Sequence, residues 1–485
     1  MNKITNLKGK VMKLKNSLTF AVIVGNRGFF PDILAKEGRA SLVKLLERLG
    51  FGVVVLSEED TKYGAVETWS DAKKCADLFR KHKDEIDGVI VTLPNFGDEK
   101  AVADTLRLAD LRVPVLVHAL PDEPEHMLVD RRRDSFCGKI SVCANLNQYR
   151  IPFTLTTYHT EAIDSKAFLE DLKSFVGTCR VVKGLKNCRV GAMGARPSAF
   201  NTVRYSEKLL ENYGITVETI DLSEVMGEAE RLSANSGDVK AKLKEITEYV
   251  AVEGIPPKAL EKMARFLVVT ERWIKEKELD TIAIQCWTAL QKYFGVVPCT
   301  CMSILSEKLI PSACEVDVCG AISMYSLTLA SGKPSALLDW NNNYKDDPDK
   351  CVMFHCSNLP KSFFDKPKMD YQAIIAGSVG KENTYGTVTG QIKPSPMTFA
   401  RMGTREDLGE IQAYVGEGEF TKDKLKTFGG YGVAKIPNLQ TLLHYICING
   451  FEHHVAVTLD RVGQSVYEAW EKYLQWDVYY NPEFS

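Results

Sequence analysis

From Thr19 onward the chain alternates short apolar runs with longer segments whose apolar residues recur at helical spacing, and this alternation limits the fold more than any other feature. Strand, helix and strand repeated in that order call for a parallel sheet with helices packed on its faces. Thr19–Val24 reads as a buried strand. Leu42, Val43, Leu45, Leu46 and Leu49 share a helical face, and Gly50 sits where a left-handed cap would end the helix. Strands over 52–56, 88–93 and 113–118, with helices over 71–86 and 99–108, complete four strands and three helices. They make one doubly wound domain.

A helix carrying Phe168, Leu169, Leu172, Phe175 and Val176 leads out of it, and the alternation restarts at Cys188. Strands are expected over 188–193, 216–220, 281–285 and 335–339, with helices around 203–212 and 258–277. After Trp340 the texture changes to short β-prone runs at 351–355, 371–376, 385–392 and 411–415, punctuated by Gly and Pro as in antiparallel sheets and barrels. Helices follow at 439–448 and 466–474. At roughly 150 residues per domain, 485 residues suit three domains. The expected division is an N-terminal α/β domain over 1–165, a central α/β domain over 166–340 and a β-rich, barrel-like domain over 341–485.

Lys and Arg total 61 against 63 Asp and Glu, a net charge of -2, so the chain lacks the basic footprint of a nucleic-acid binder. Thirteen cysteines spread over this length do not resemble a secreted disulfide framework. The first eighteen residues are basic but lack the apolar core of a signal peptide, and no run reaches the roughly 18 apolar residues of a membrane span. The expected location is the cytoplasm.

Three glycine turns follow strands: Gly25-Asn-Arg-Gly28, Asn95-Phe-Gly97-Asp98 and Gly191-Ala-Met-Gly194-Ala-Arg196. None has dinucleotide or phosphate-loop spacing, so a nicotinamide cofactor is not expected. Such turns usually serve only the chain reversal. They also lie where open α/β sheets bind ligands, which marks Arg27 and Arg196.

Acids in apolar company are rarer. In Ser312-Ala-Cys-Glu315-Val-Asp317-Val, an extended chain would put Glu315 and Asp317 on one face. A second acid, Asp339, closes the apolar run 335–339 before Trp340. Burying a carboxylate is costly unless a cation or hydrogen-bond donors compensate it, although a solvated strand end or a lysine partner would also explain either acid. Among eight histidines, His355, His453 and His454 lie in apolar surroundings, and alternation would face the last two in opposite directions. Carboxylates with one or two imidazoles suit Mn²⁺ or a similar divalent ion. The pairs Cys314/Cys319 and Cys351/Cys356 lack the tight spacing of structural zinc sites and read as buried small apolar residues.

Together, Ala313-Cys-Glu315-Val-Asp317, Leu338-Asp339-Trp340-Asn-Asn-Asn343, Phe354-His355-Cys356, Gly450-Phe-Glu-His453-His454 and the closing Leu474-Gln-Trp476-Asp-Val-Tyr-Tyr480 resemble the L-fucose and L-arabinose isomerase superfamily of metal-dependent sugar isomerases. The resemblance implies an aldose–ketose isomerase working on an open-chain sugar through an enediol. It implies Mn²⁺, or another divalent cation such as Mg²⁺ or Co²⁺, held by Glu315, Asp339 and His454, with His355 as an additional ligand. Glu315 and Asp339 would share the proton transfers. Substrate contacts would come from Trp340 and His453, and from Arg27 and Asn95 reaching a neighbour's site in a homotrimer or hexamer with shared active sites. A neutral deoxy-hexose or pentose is the expected substrate. An anionic sugar such as sulfoquinovose is the alternative, for which Arg131, Arg132 and Arg133 could supply charge. Two further readings are a non-catalytic sugar-binding protein and a dehydrogenase.

Overall fold

A computed structural model describes residues 18–482. These fall into two compact units, one formed by 18–183 with 468–475 and the other by 184–467 with 476–482.

The first unit is built on a parallel sheet of β1 (Thr19–Val24), β2 (Gly52–Val55), β3 (Gly88–Leu93), β4 (Val115–Ala119) and β5 (Thr154–Leu155), in the order β2-β1-β3-β4-β5. β1, β3 and β4 are buried almost throughout, as strands covered by helices on both faces must be. Four of the five strands are visible in the sequence. β5 is only two residues long and carries no periodicity, and the helix before it, Ser135–Gln148, has apolar residues too scattered to mark a face. Residues 468–475 belong to this unit, where the Tyr473 hydroxyl donates to the Val115 carbonyl.

The second unit holds two sheets. β6 (Arg189–Met193), β7 (Thr216–Ile220), β8 (Thr281–Ile284) and β9 (Ser312–Ala313) form a parallel sheet in the order β7-β6-β8-β9. The other contains β10 (Ser335–Tyr344), β11 (Asp347–His355), β12 (Lys368–Tyr371), β13 (Tyr385–Gln391), β14 (Ser395–Arg405), β15 (Glu410–Phe420), β16 (Gly430–Lys435), β17 (His454–Thr458) and β18 (Asp477–Asn481). Its order is β12-β13-β16-β11-β10-β17-β14-β15-β18, and a further β15–β16 pairing closes β16, β11, β10, β17, β14 and β15 into a ring. The α/β class with a barrel-like β-rich part is thus present.

Three local expectations give way. The run 335–339 does not extend the parallel sheet, because β10 pairs antiparallel with β17 and β11 inside the ring. Residues 373–379 form a helix capped by the Gln372 side chain instead of a strand. Around Glu315 the chain is not extended: Glu315 and Val316 have φ of 56° and 57°, a left-handed turn between β9 and the helix Val318–Ser331. Side-chain alternation therefore does not apply to Glu315 and Asp317. Among the described residues no helix is long and apolar enough to cross a membrane.

Candidate active site

The second unit brings four sequence-distant segments together. Asp339 of β10 lies directly across from His454 of β17 and, on its other side, from Phe354 of β11, whose next residue is His355. The left-handed turn after β9 delivers Glu315 to the same place. His454 Nε2 stands 3.7 Å from Glu315 Oε2 and 3.6 Å from Asp339 Oδ1. The His355 and His454 rings are 5.9 Å apart.

Asp317 fixes this arrangement from behind. It caps the helix Val318–Ser331 by accepting from Gly320 N at 2.8 Å, and its Oδ2 lies 2.8 Å from His454 Nδ1. Arg401 of β14, fully buried, donates through Nη2 to Asp317 Oδ1 at 3.0 Å and through Nε to Glu452 at 3.0 Å. With Nδ1–H donated to a carboxylate, His454 Nε2 keeps its lone pair for the site, the usual arrangement behind a metal-bound imidazole. Burial alone would raise the Asp317 carboxyl, but Arg401 and His454 outweigh it and hold the group well below the usual carboxylate range. Burial would likewise discharge His454, and the bond to Asp317 raises it instead. Glu315 is raised by burial despite the attraction of His454 and His355.

The two oxygens that face His454 Nε2, Glu315 Oε2 and Asp339 Oδ1, are buried and accept no hydrogen bond. A buried carboxylate oxygen without a donor calls for a cation. Glu315, His355 and His454 can converge on one ion, as can Asp339, His453 and His454. This mixed oxygen and imidazole set fits a divalent ion of the Mn²⁺ type. The other oxygen of Glu315, Oε1, accepts from Trp287 Nε1 at 2.8 Å and from the Cys286 thiol at 3.2 Å, which fixes the carboxylate plane.

His453 precedes β17, so strand alternation does not govern it, and its Nε2 also comes within 3.8 Å of Asp339 Oδ1. Trp340 packs edge-on against Phe399 and donates its indole N–H to Tyr414. Arg27 and Asn95 lie in the first unit. Arg27 is ion-paired with Glu99 and covers the Phe96 ring at 4.4 Å, while Asn95 binds the Asn26 side chain and accepts from Gly97 N. Arg131 and Arg132 are paired with Glu37 and Asp134.

Among the described residues, Cys286 and Cys314 meet beside Glu315, and Cys356 lies against Cys299, Cys314 and the His355 ring, with its Sγ 3.5 Å from His355 Nδ1. Sequence reasoning missed Arg401, Cys286, Trp287, Glu452 and Phe200, whose ring touches Trp287, His453 and His454 at centroid distances of 5.2–5.9 Å. The only signal for Arg401 was a charge within the apolar run Met397–Met402, which hid the strand instead of revealing the residue.

Residues 21–186 match the family model of the fucose/sulfoquinovose isomerase N-terminal domain, and residues 353–481 that of the L-fucose isomerase C-terminal domain. His355 and His454 fall within the second match, whereas Glu315, Asp317 and Asp339 lie between the two. A sulfoquinovose isomerase from Priestia megaterium is 25% identical over 275 residues, 56% of this chain and 59% of its own length. Sulfoquinovose isomerases from Clostridium sp. (strain MSTE9) and Alkalicoccus urumqiensis are 27% identical over 177 residues and 26% over 310 residues, covering 36% and 63% of this chain and 39% and 68% of their own. The chain spans about three-fifths of the length of the Priestia relatives it matches.

Proposed function

We propose that this chain, a member of the fucose isomerase-like superfamily, is a metal-dependent isomerase that interconverts an anionic open-chain aldose and its ketose. The observation that carries the reading is the pair of donorless oxygens, Glu315 Oε2 and Asp339 Oδ1, aimed with His454 Nε2 at one point. Glu315, Asp339 and His454 would hold the cation, with His355 completing the set. A divalent ion there supplies Lewis-acid polarisation of the sugar carbonyl, which acidifies the C2 proton.

Glu315 and Asp339 divide the proton transfers between them. One carboxylate takes the proton from C2 and returns it to C1 through an enediol, while the other moves the hydroxyl proton from O2 to O1. No atom is gained or lost, and no nicotinamide is required. Asp317 and Arg401 keep the His454 ring in the one tautomer that leaves Nε2 free. Phe200 packs its ring against Trp287 and both imidazoles of the His453–His454 pair.

The named relatives favour sulfoquinovose over a neutral deoxy-hexose or pentose. The assembly proposed is a homotrimer or hexamer with shared sites, and the cysteine-rich interior suits the reducing cytoplasm. The test is a panel of neutral and sulfonated aldoses incubated with Mn²⁺-loaded and metal-stripped protein, with ketose measured. Ketose formed from the sulfonated sugar only when metal is present is the expected result. Ketose formation unaffected by stripping would refute the metal-dependent reading.

A further inference from the structure

The loop after β6 contains a guanidinium that the proposed chemistry does not use. Gly194 has a φ of 85°, and a Cβ there would come within 2.5 Å of Gln285 Oε1. With glycine in place, Ala195 N donates to that oxygen at 2.9 Å, which ties the loop to the end of β8 two residues before Trp287. Arg196 follows, half-buried, and its Nη1 donates to Pro197 O at 3.1 Å. Phe200 N donates to the same carbonyl at 2.9 Å, and the Phe200 ring touches Trp287, His453 and His454. The Arg196 guanidinium thus binds the same carbonyl that anchors Phe200, whose ring lies against the imidazoles of the site.

Of the arginines singled out in the sequence, Arg27, Arg131 and Arg132 pair with Glu99, Glu37 and Asp134, whereas Arg133, in the other compact unit, donates to the Pro94 carbonyl. Among the described residues no carboxylate reaches ion-pair distance of Arg196. Seating the anionic end of a sugar against the protein strips water from a charge, a cost that must be compensated at that end. A cation held apart from the carbonyl end supplies that compensation, and a planar guanidinium can give two parallel hydrogen bonds to a tetrahedral oxyanion.

We infer that Arg196 forms an anion subsite that takes the terminal sulfonate of an open-chain sulfo-sugar whose carbonyl end lies at Glu315, Asp339 and His454. This deepens the isomerase reading and rests on it. The test separates the two through a sulfonated sugar alcohol, which has no carbonyl to isomerise. Its binding to the full-length Mn²⁺-loaded protein is read by calorimetry for the wild type, Arg196→Ala and Arg196→Lys, beside the neutral and 6-phosphorylated alcohols.

The expected result is a loss of about 10- to 100-fold in the affinity ratio of sulfonated to neutral alcohol in Arg196→Ala, as for loss of a charged hydrogen bond. Arg196→Lys should recover part of it, because the charge stays while the fork is lost. An unchanged ratio in Arg196→Ala would overturn the subsite whether or not the enzyme turns over. Tighter wild-type binding of the phosphate than of the sulfonate would overturn its assignment to sulfonates. Arg196-dependent binding without any turnover of the aldose would leave the subsite standing and remove the isomerase.

Discussion

Asp317 does three jobs at once: it caps a helix, orients His454 and neutralises the buried Arg401. Asp317→Asn should therefore destabilise the protein by about 3–5 kcal/mol, the usual effect of stranding a buried charge, and weaken Mn²⁺ binding by about 10- to 100-fold. Urea unfolding and equilibrium dialysis measure the two effects. Because the Asp317 pKa is lower folded than unfolded, its stabilisation is complete above the unfolded value of about 3.9 and fades as pH falls below that. Metal binding should respond at higher pH. Glu315 and His454 are both raised and must lose protons to bind an ion, so Mn²⁺ affinity should fall as pH drops from about 8 to about 6. Affinity constant over that range would contradict this account of the two groups. Glu315 and Asp339 were legible in the sequence because acids in apolar runs demand an explanation. The division of labour between Glu315 and Asp317 was not, since it depends on a left-handed turn that no periodicity encodes.

At the scale of elements, the helix Val318–Ser331 begins where β10, β14 and β17 meet the site, and its N-terminus depends on Gly320. A Cβ at Gly320 would lie 2.4 Å from Asp317 Oδ2 and 2.9 Å from Arg401 Nη1. Alanine normally stabilises a helix interior by about 1 kcal/mol relative to glycine. Here Gly320→Ala should destabilise instead, because it wedges apart the Asp317–Arg401 pair, and thermal unfolding would show a lower midpoint. A higher midpoint would mean that the pair can shift without loss. The strands of the parallel sheets were readable because burial on both faces leaves long apolar runs. β14 was hidden by Pro396 and Arg401, and the pairing of β10 with β17 joins residues too far apart in sequence for any local pattern to show.

At the scale of the whole molecule, the proposed metal site, assembled from the β9 turn, β10, β11 and β17, would couple metal binding to folding. Ions at about 100 times their dissociation constant should stabilise the native state by about 2.7 kcal/mol. This gain should vanish in His454→Ala, read as a Mn²⁺-dependent shift in melting temperature. The α/β class and the β-rich final part were legible from texture alone, whereas closure of six strands into a ring was not, because the β15–β16 pairing leaves no mark in either segment. In the proposed mechanism, Glu315 and Asp339 perform the proton transfers of a sugar isomerisation. The most direct measurement is the rate of ketose formation from sulfoquinovose by Mn²⁺-loaded wild type, Glu315→Gln and Asp339→Asn. The predicted result is turnover by the wild type and a loss of at least about 100-fold in each variant; turnover that survives both substitutions would contradict it.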